Sequence, residues 1–170
     1  DIKVKKLKKG NLITLRGQKN LHAFNYTVGS DPSSASFFIA LTLLTPNSKL
    51  TIKNVICNPT RTGFLKILKE KMNANIKVSN LKKISGELVG NITIRSSSLK
   101  SINCPKELVP FLIDEFCILF IITSMIKGVS KFTGISELRH KESDRIKSME
   151  RGLNKIGIKT ESTYDSLKIY

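Results

Sequence analysis

With 170 residues, 40% hydrophobic and 25% charged, the chain is long enough to bury one core or two small ones, and its composition excludes a disordered or fibrous protein. The longest apolar run, Phe116 to Ile126 with Thr123 and Ser124 inside it, is too short to span a bilayer, and no basic-apolar-small signal pattern opens the chain. A formal net charge of +16 favours anionic partners such as nucleic acid, an acidic membrane or phosphorylated metabolites, although an AT-rich genome biased toward Lys, Ile and Asn yields the same balance.

Residues 1–30 read as strands. Leu12 to Leu15 is a short apolar run, and Phe24, Tyr26 and Val28 alternate with Ala23, Asn25 and Thr27 as in a half-buried strand. Gly29-Ser30-Asp31-Pro32 breaks the chain and marks a domain boundary or crossover. Ser33 and Ser34 open a helix through about Leu44 that is apolar nearly all round, which predicts burial on every side. A strand near Leu50–Ile52 follows. Pro59-Thr60-Arg61-Thr62-Gly63 then leads into a second helix with Phe64, Ile67, Leu68 and Met72 inward. Strands are predicted near Ile76–Val78 and Asn91–Arg95, around a Gly86 loop.

The order then recurs. A buried helix runs from about Pro110 to Ile126 and ends at Gly128. A strand near Ser130–Thr133, an amphipathic helix to about Ile156 capped by Gly157, and strands near Ile158–Glu161 and Leu167–Ile169 complete the series. Recurrence after roughly 80 residues argues for a duplicated α/β unit whose apolar helices share an interior. Cys57, Cys104 and Cys117 are odd in number, widely spaced and form no metal or disulfide pattern, as in a reducing cytoplasm. His22 and His140 are isolated and are not read as ligands.

The densest stretch is Glu137-Leu138-Arg139-His140-Lys141-Glu142-Ser143-Asp144-Arg145, seven ionisable groups in nine residues. Ile146, Met149, Leu153 and Ile156 follow as one helical stripe. Counting back four places from Ile146 sets Glu142 over that stripe, with Arg145 beside it, while Ser143 and Asp144 stand at the helix start. A solvated, charged helix start and a site at the mouth of a buried face are both consistent with this pattern.

Four motifs taken together are more specific. Asp31-Pro32-Ser33-Ser34-Ala35-Ser36-Phe37-Phe38, Asn58-Pro59-Thr60-Arg61-Thr62-Gly63-Phe64, Leu112-Ile113-Asp114-Glu115-Phe116 and the charged stretch 137–145 occur in an order and at distances that resemble 5-enolpyruvylshikimate-3-phosphate synthases of the bacterial type. The resemblance covers nearly the whole chain. Ser30 stands where the family usually has Gly, with Gly29 one place earlier.

The fold this implies is α/β: repeated β-α-β-α-β-β units packed as an inside-out, barrel-like globe, helices inside and sheets outside. By resemblance, residues 1–30 are the last strands of a first globe plus the crossover. Residues 31–170 are two units of a second globe, about 31–97 and 98–170. Both ends read as cut, so a fragment is expected. The reaction implied is transfer of the enolpyruvyl group of phosphoenolpyruvate to the 5-hydroxyl of shikimate 3-phosphate, by addition and elimination of phosphate, in a cytoplasmic, monomeric enzyme without metal or organic cofactor.

The resemblance also implies roles. Asp114 and Glu142 are the catalytic carboxylates, the first binding shikimate 3-phosphate and accepting its proton, the second moving a proton at the methylene carbon. Arg145 grips phosphoenolpyruvate, and Lys141 and Glu137 lie at shikimate 3-phosphate. Asp31, Ser33 and Ser34 are expected to fix the crossover and cap the first helix, Arg61 to tie down the second helix start, and Lys106 and Glu107 to be solvated. The opposing half of the family's site is expected outside residues 1–170, so the piece alone is expected to be inactive. Alternatives are the related enolpyruvyl transferase acting on UDP-N-acetylglucosamine, whose string at this position is less similar, a basic nucleic-acid-binding module, and an inactive relic. Dispersed Lys and few aromatics speak against a nucleic-acid partner.

Overall fold

The structure is a computed structural model that describes residues 2–7, 10–15, 17, 20 and 22–170. The strand expectation for 1–30 therefore partly lies outside the described residues. An antiparallel hairpin of β1 (Ile2–Leu7) and β2 (Gly10–Leu15) opens the chain. Every β2 residue is exposed, as are residues 3–7 of β1. The predicted strand over Phe24–Val28 does not form. That segment takes no regular secondary structure, and Phe24 and Val28 are among the most exposed large apolar side chains. Alternation alone cannot supply the neighbouring ladder that a strand needs.

The remainder repeats one plan. The first series is α1 (Pro32–Leu44), β3 (Lys49–Ile56), α2 (Gly63–Glu70), β4 (Asn75–Ile84) and β5 (Glu87–Arg95). The second is α3 (Phe116–Ser124), β6 (Ser130–Thr133), α4 (Arg145–Lys155), β7 (Thr160–Ser162) and β8 (Ser166–Ile169). Both sheets are antiparallel with the last strand central, β3-β5-β4 and β6-β8-β7. Each series also opens on a single parallel bridge to its first strand, Ser30 to Val55 and Asn103 to Lys131. Ser30 sits comfortably there: its N–H donates to the Asn54 carbonyl at 2.7 Å and its carbonyl accepts from Ile56 at 2.9 Å. The glycine is needed one place earlier, where a Cβ on Gly29 would lie 2.8 Å from Ile56 Cγ1.

Strand alternation sends Ile76, Ile92 and Ile94 from the first sheet, and Phe132, Leu167 and Ile169 from the second, into a shared core with the helices. Phe116 and Phe120 of α3 close on Phe132, with ring centroids 4.9–6.0 Å apart. Of the residues read as inward on the amphipathic helices, Phe64, Ile67 and Leu68 of α2 and Ile146 and Leu153 of α4 are buried and Met149 is half-buried, while Met72, also buried, lies just beyond the end of α2. Gly157, at φ +87°, ends α4 in a Schellman motif, with Gly157 N–H on the Asn154 carbonyl and Ile158 N–H on Leu153.

Several expectations need correcting. Ile156 is the C-cap of α4 and 71% exposed, so it leaves the apolar stripe. β4 and β5 are longer than predicted, a ribbon closed by Ser85 and Gly86, both at positive φ, because Lys82 and Lys83 pair through backbone that hydropathy does not report. The helix predicted from Pro110 starts only at Phe116, after short 3-10 turns over Lys106–Phe111 and Ile113–Glu115. Most notably, α1 is not buried all round: Phe37, Phe38 and Leu41 are exposed, while Ile39 and Leu43 are in the core. Among the described residues no helix is long and apolar enough to cross a membrane.

Candidate active site

Residues 104–115 separate the second parallel bridge from its helix, whereas Asp31 caps α1 directly after Ser30. That insertion carries Asp114. Buried Leu112 and Phe116 flank it and hold the turn against the core, leaving the Asp114 carboxylate half exposed just before α3.

The charged stretch follows β6. Gly134, at φ +79°, turns the chain, and Leu138, fully buried, pins a 3-10 turn over Ser136–His140. Lys141 is extended. Asp144 caps α4, accepting from the Lys147 N–H at 2.9 Å, so the helix begins at Arg145. Glu142 therefore lies before the cap rather than on the helix, and its placement by counting back one turn is corrected. It projects into solvent with 84% of its side chain exposed.

The structure nevertheless brings the five predicted site residues into one cluster. Lys141 Nζ is 3.1 Å from Glu137 Oε1 and 3.6 Å from Asp114 Oδ1. Arg145 Nη1 is 3.7 Å from the same Asp114 oxygen, and Arg145 Nη2 pairs with Glu142 Oε2 at 2.8 Å. The cations are about three-quarters covered and the carboxylates form an open rim. At 3.6–3.7 Å the contacts to Asp114 are Coulombic rather than hydrogen bonds, so donor capacity on both cations remains for an anion. The starts of α3 and α4 add positive helix ends.

The same geometry shifts the protonation of two of these groups. Hydrogen bonding to Glu137, helped by Asp114, raises the Lys141 ammonium above its ordinary range, so it stays charged. The Glu142 carboxyl is held below the usual glutamate range by its own backbone N–H and then by Arg145. Two largely covered cations with exposed carboxylates beside them can bind a phosphate or carboxylate and exchange protons with it.

Other charges support the walls. Asp31 accepts from the N–H groups of Ser33 and Ser34, at 3.3 and 2.9 Å, and from Arg61 Nη2 at 3.0 Å. Arg61 thus ties the approach to α2 onto the cap of α1, as expected. Sequence reasoning passed over Glu115, which is buried and accepts from the Ser33 hydroxyl, linking the turn of Asp114 to the start of α1. It also passed over Arg139 and Asp165, which together with Asp144, read at the helix start and found as its cap, hold the loop of Lys141. Arg139 lies inside the charged stretch without any pattern to separate it from its other charges. Asp165 lies far along the chain and carries no local signal. Thr60, Arg61, Phe111 and Asp114 help line a small polar cleft of about 130 Å³ beside the cluster. A larger groove of about 380 Å³, between α2 and the β4–β5 ribbon, shares no residue with the cluster. Among the described residues no three His, Cys, Asp or Glu side chains converge as metal ligands would.

Comparison with known proteins accords with the four motifs and the fold. The family described as EPSP synthase (3-phosphoshikimate 1-carboxyvinyltransferase) matches residues 1–170. A 3-phosphoshikimate 1-carboxyvinyltransferase of Vesicomyosocius okutanii subsp. Calyptogena okutanii (strain HA) is 48% identical over 159 residues, 94% of this chain and 36% of the relative. Another, from Petrotoga mobilis, is 46% identical over 151 residues, 88% of this chain and 35% of the relative. A solved structure of EPSP synthase from Acinetobacter baumannii superposes with a TM-score of 0.87 at 40% identity, covering 99% of this chain and 37% of that one. The chain thus spans a little over a third of the length of the relatives it matches. With its full length inside the family match and its repeated sheets and helices superposing on a solved member, this chain belongs to the EPSP synthase family.

Proposed function

We propose that this chain supplies part of an enzyme that transfers the enolpyruvyl group of phosphoenolpyruvate to the 5-hydroxyl of shikimate 3-phosphate in aromatic amino acid biosynthesis. The observation that carries the reading is the convergence of Asp114, Glu137, Lys141, Glu142 and Arg145, from two distant motifs, into one cation-centred cluster. Arg145 presents a planar fork suited to a carboxylate or phosphate, and Lys141 a compact charge for the second anion. Asp114, between the two cations, accepts the proton of the attacking hydroxyl. Glu142, more exposed and paired with Arg145, moves the proton at the methylene carbon. Glu137 orients Lys141 and bonds the ring hydroxyls.

In this reading residues 1–30 end a first globe and cross over to a second. Residues 31–97 and 98–170 are two repeats of that second globe, in a cytoplasmic, monomeric enzyme. The chain then forms one wall of the site, so turnover by the purified 170-residue chain would contradict it. A direct test is NMR titration of the chain with shikimate 3-phosphate. Saturable shifts concentrated at Asp114, Lys141 and Arg145, lost in Lys141→Gln and Arg145→Gln, are expected. Shifts scattered over surface lysines and reproduced by inorganic sulfate would sink the assignment, and tight, salt-sensitive capture of an oligonucleotide would favour a nucleic-acid partner.

A further inference from the structure

The stretch from Glu137 to Arg145 has two faces. Glu137, Lys141, Glu142 and Arg145 pair with one another or meet Asp114. Arg139, His140 and Asp144 turn the other way, toward the β7–β8 turn and the start of α4. Arg139 Nε donates to the Tyr164 carbonyl at 2.7 Å, Nη2 to the Thr163 carbonyl, and Nη1 to Asp144 Oδ2 at 2.7 Å. The other Asp144 oxygen caps α4 through Lys147 N–H. One guanidinium therefore joins a hairpin turn to the residue immediately before Arg145. Its side chain is 16% exposed, the most covered of the paired cations among the described residues. His140 Nε2 adds a 3.0 Å contact to the Tyr164 hydroxyl. The same turn grips the far end of the loop: the Asp165 carboxylate takes the N–H groups of Gly134 and Ser136, at 3.1 and 2.9 Å.

We propose that Arg139 is a positioning residue, which by joining the Thr163–Asp165 turn to the Asp144 cap fixes Lys141 and Arg145 at the spacing from which both face Asp114. The inference rests on the reading of that cluster as the substrate site. Three acceptors around one planar group require a fork, so a Lys at this position satisfies at most part of the set. A displacement of the order of 1 Å in the residues it carries is enough to spoil binding of a transferring group. Arg139 itself touches neither Lys141 nor Asp114, so its effect on them is indirect.

The test uses the 170-residue chain and the variants Arg139→Lys and Arg139→Gln, with side-chain carboxyl titrations followed by NMR. Glu142 reports whether Arg145 is in place, because its depressed titration depends on its own backbone N–H and on Arg145. In both variants its midpoint is expected to move up toward the ordinary glutamate range, while that of Asp31, on the cap of α1, stays put. If Asp144 moves but Glu142 does not, Arg139 only supports the helix cap and the proposal is overturned. Arg139→Lys, which keeps the charge, carries the same readout should Arg139→Gln not fold. Shikimate 3-phosphate is expected to bind Arg139→Lys about tenfold more weakly than the parent chain. If the parent chain shows no binding, the substrate reading fails, while the carboxyl titration still decides the positioning role because it uses no ligand.

Discussion

Asp31 joins three parts of the molecule with one carboxylate, accepting from two N–H groups at the start of α1, from the Ser34 hydroxyl at 2.8 Å and from Arg61. Partial burial pushes its pKa up, but hydrogen bonds from Ser34 and Ser33 and the nearby Arg61 outweigh that and hold it below the ordinary value. Asp144, through the Lys147 N–H and then Arg139, and Asp165, through Ser136 and Gly134, are depressed in the same direction. A carboxylate with a lower pKa folded than unfolded adds stability that is complete above the unfolded value and vanishes as pH falls through the folded one. Stability should therefore be nearly flat from pH 7 to about pH 5 and decline steeply below about pH 4, as urea midpoints across that range would record. Asp31→Ala should cost about 1 kcal/mol at pH 7 and flatten the acid decline. A decline unaltered by that change would assign the acid sensitivity to other groups. At this scale the sequence was legible where a residue type has one common use: a helix cap such as Asp31, or an Arg close to it. It was not legible in the rest of the charged stretch, where the site charges of Lys141 and Arg145 and the scaffold charge of Arg139 share one composition. Distinguishing them requires the turn at Thr163–Asp165, which folds back from later in the chain.

Among the elements, α2 shows why a motif keeps its glycine. A Cβ on Gly63 would fall 2.6 Å from the Phe111 carbonyl carbon and 2.7 Å from Phe111 Cβ, so α2 lies directly on the 3-10 turn Lys106–Phe111. That turn leads through Leu112 and Ile113 to Asp114. Gly63→Ala cannot be relieved by rotating a flexible side chain, since the obstacle is backbone. It should cost about 1–3 kcal/mol and move Asp114 relative to Lys141 and Arg145. Urea unfolding measures the first effect and amide shifts at Asp114 and Lys141 the second. A stable Gly63→Ala chain with unmoved Asp114 resonances would refute the coupling. Strongly periodic segments such as α2 and α4 were legible because period and burial coincide. The short turns before α3 were not, since an apolar run flanked by Pro110 reads as a helix until packing against α2 sets where it starts. The strand expected over Phe24–Val28 failed for the opposite reason: it had the right alternation and no ladder to join.

Across the whole molecule, α1 and α3 each present one face to the shared core and another to solvent. On α1, Ile39 and Leu43 are buried while Phe37, Phe38 and Leu41 are 61%, 57% and 64% exposed; on α3, Leu119 and Phe120 are buried while Ile121 is 39% exposed. The expectation of burial on all sides follows from composition, which is uniform around α1, and composition does not specify how many neighbours a helix has. Three large exposed apolar side chains within five residues form the kind of patch that drives association. The purified 170-residue chain should therefore self-associate as its concentration rises, with mass read by light scattering after size-exclusion chromatography. Replacing Phe37, Phe38 and Leu41 together by Gln keeps good helix formers in place and removes the patch. It should return the chain to a monomer and change the unfolding free energy by no more than about 0.5 kcal/mol per site, because these side chains bury little on folding. Ile39→Ala, one step round the same helix, should instead cost about 2–5 kcal/mol and leave the association intact at concentrations where the chain is folded. If the triple substitution unfolds the chain as Ile39→Ala does, the exposed face of α1 is part of the core in solution. If it leaves the association unchanged, the contact lies elsewhere, with the open β1–β2 ribbon and its uncovered Ile13 and Leu15 the next surface to alter.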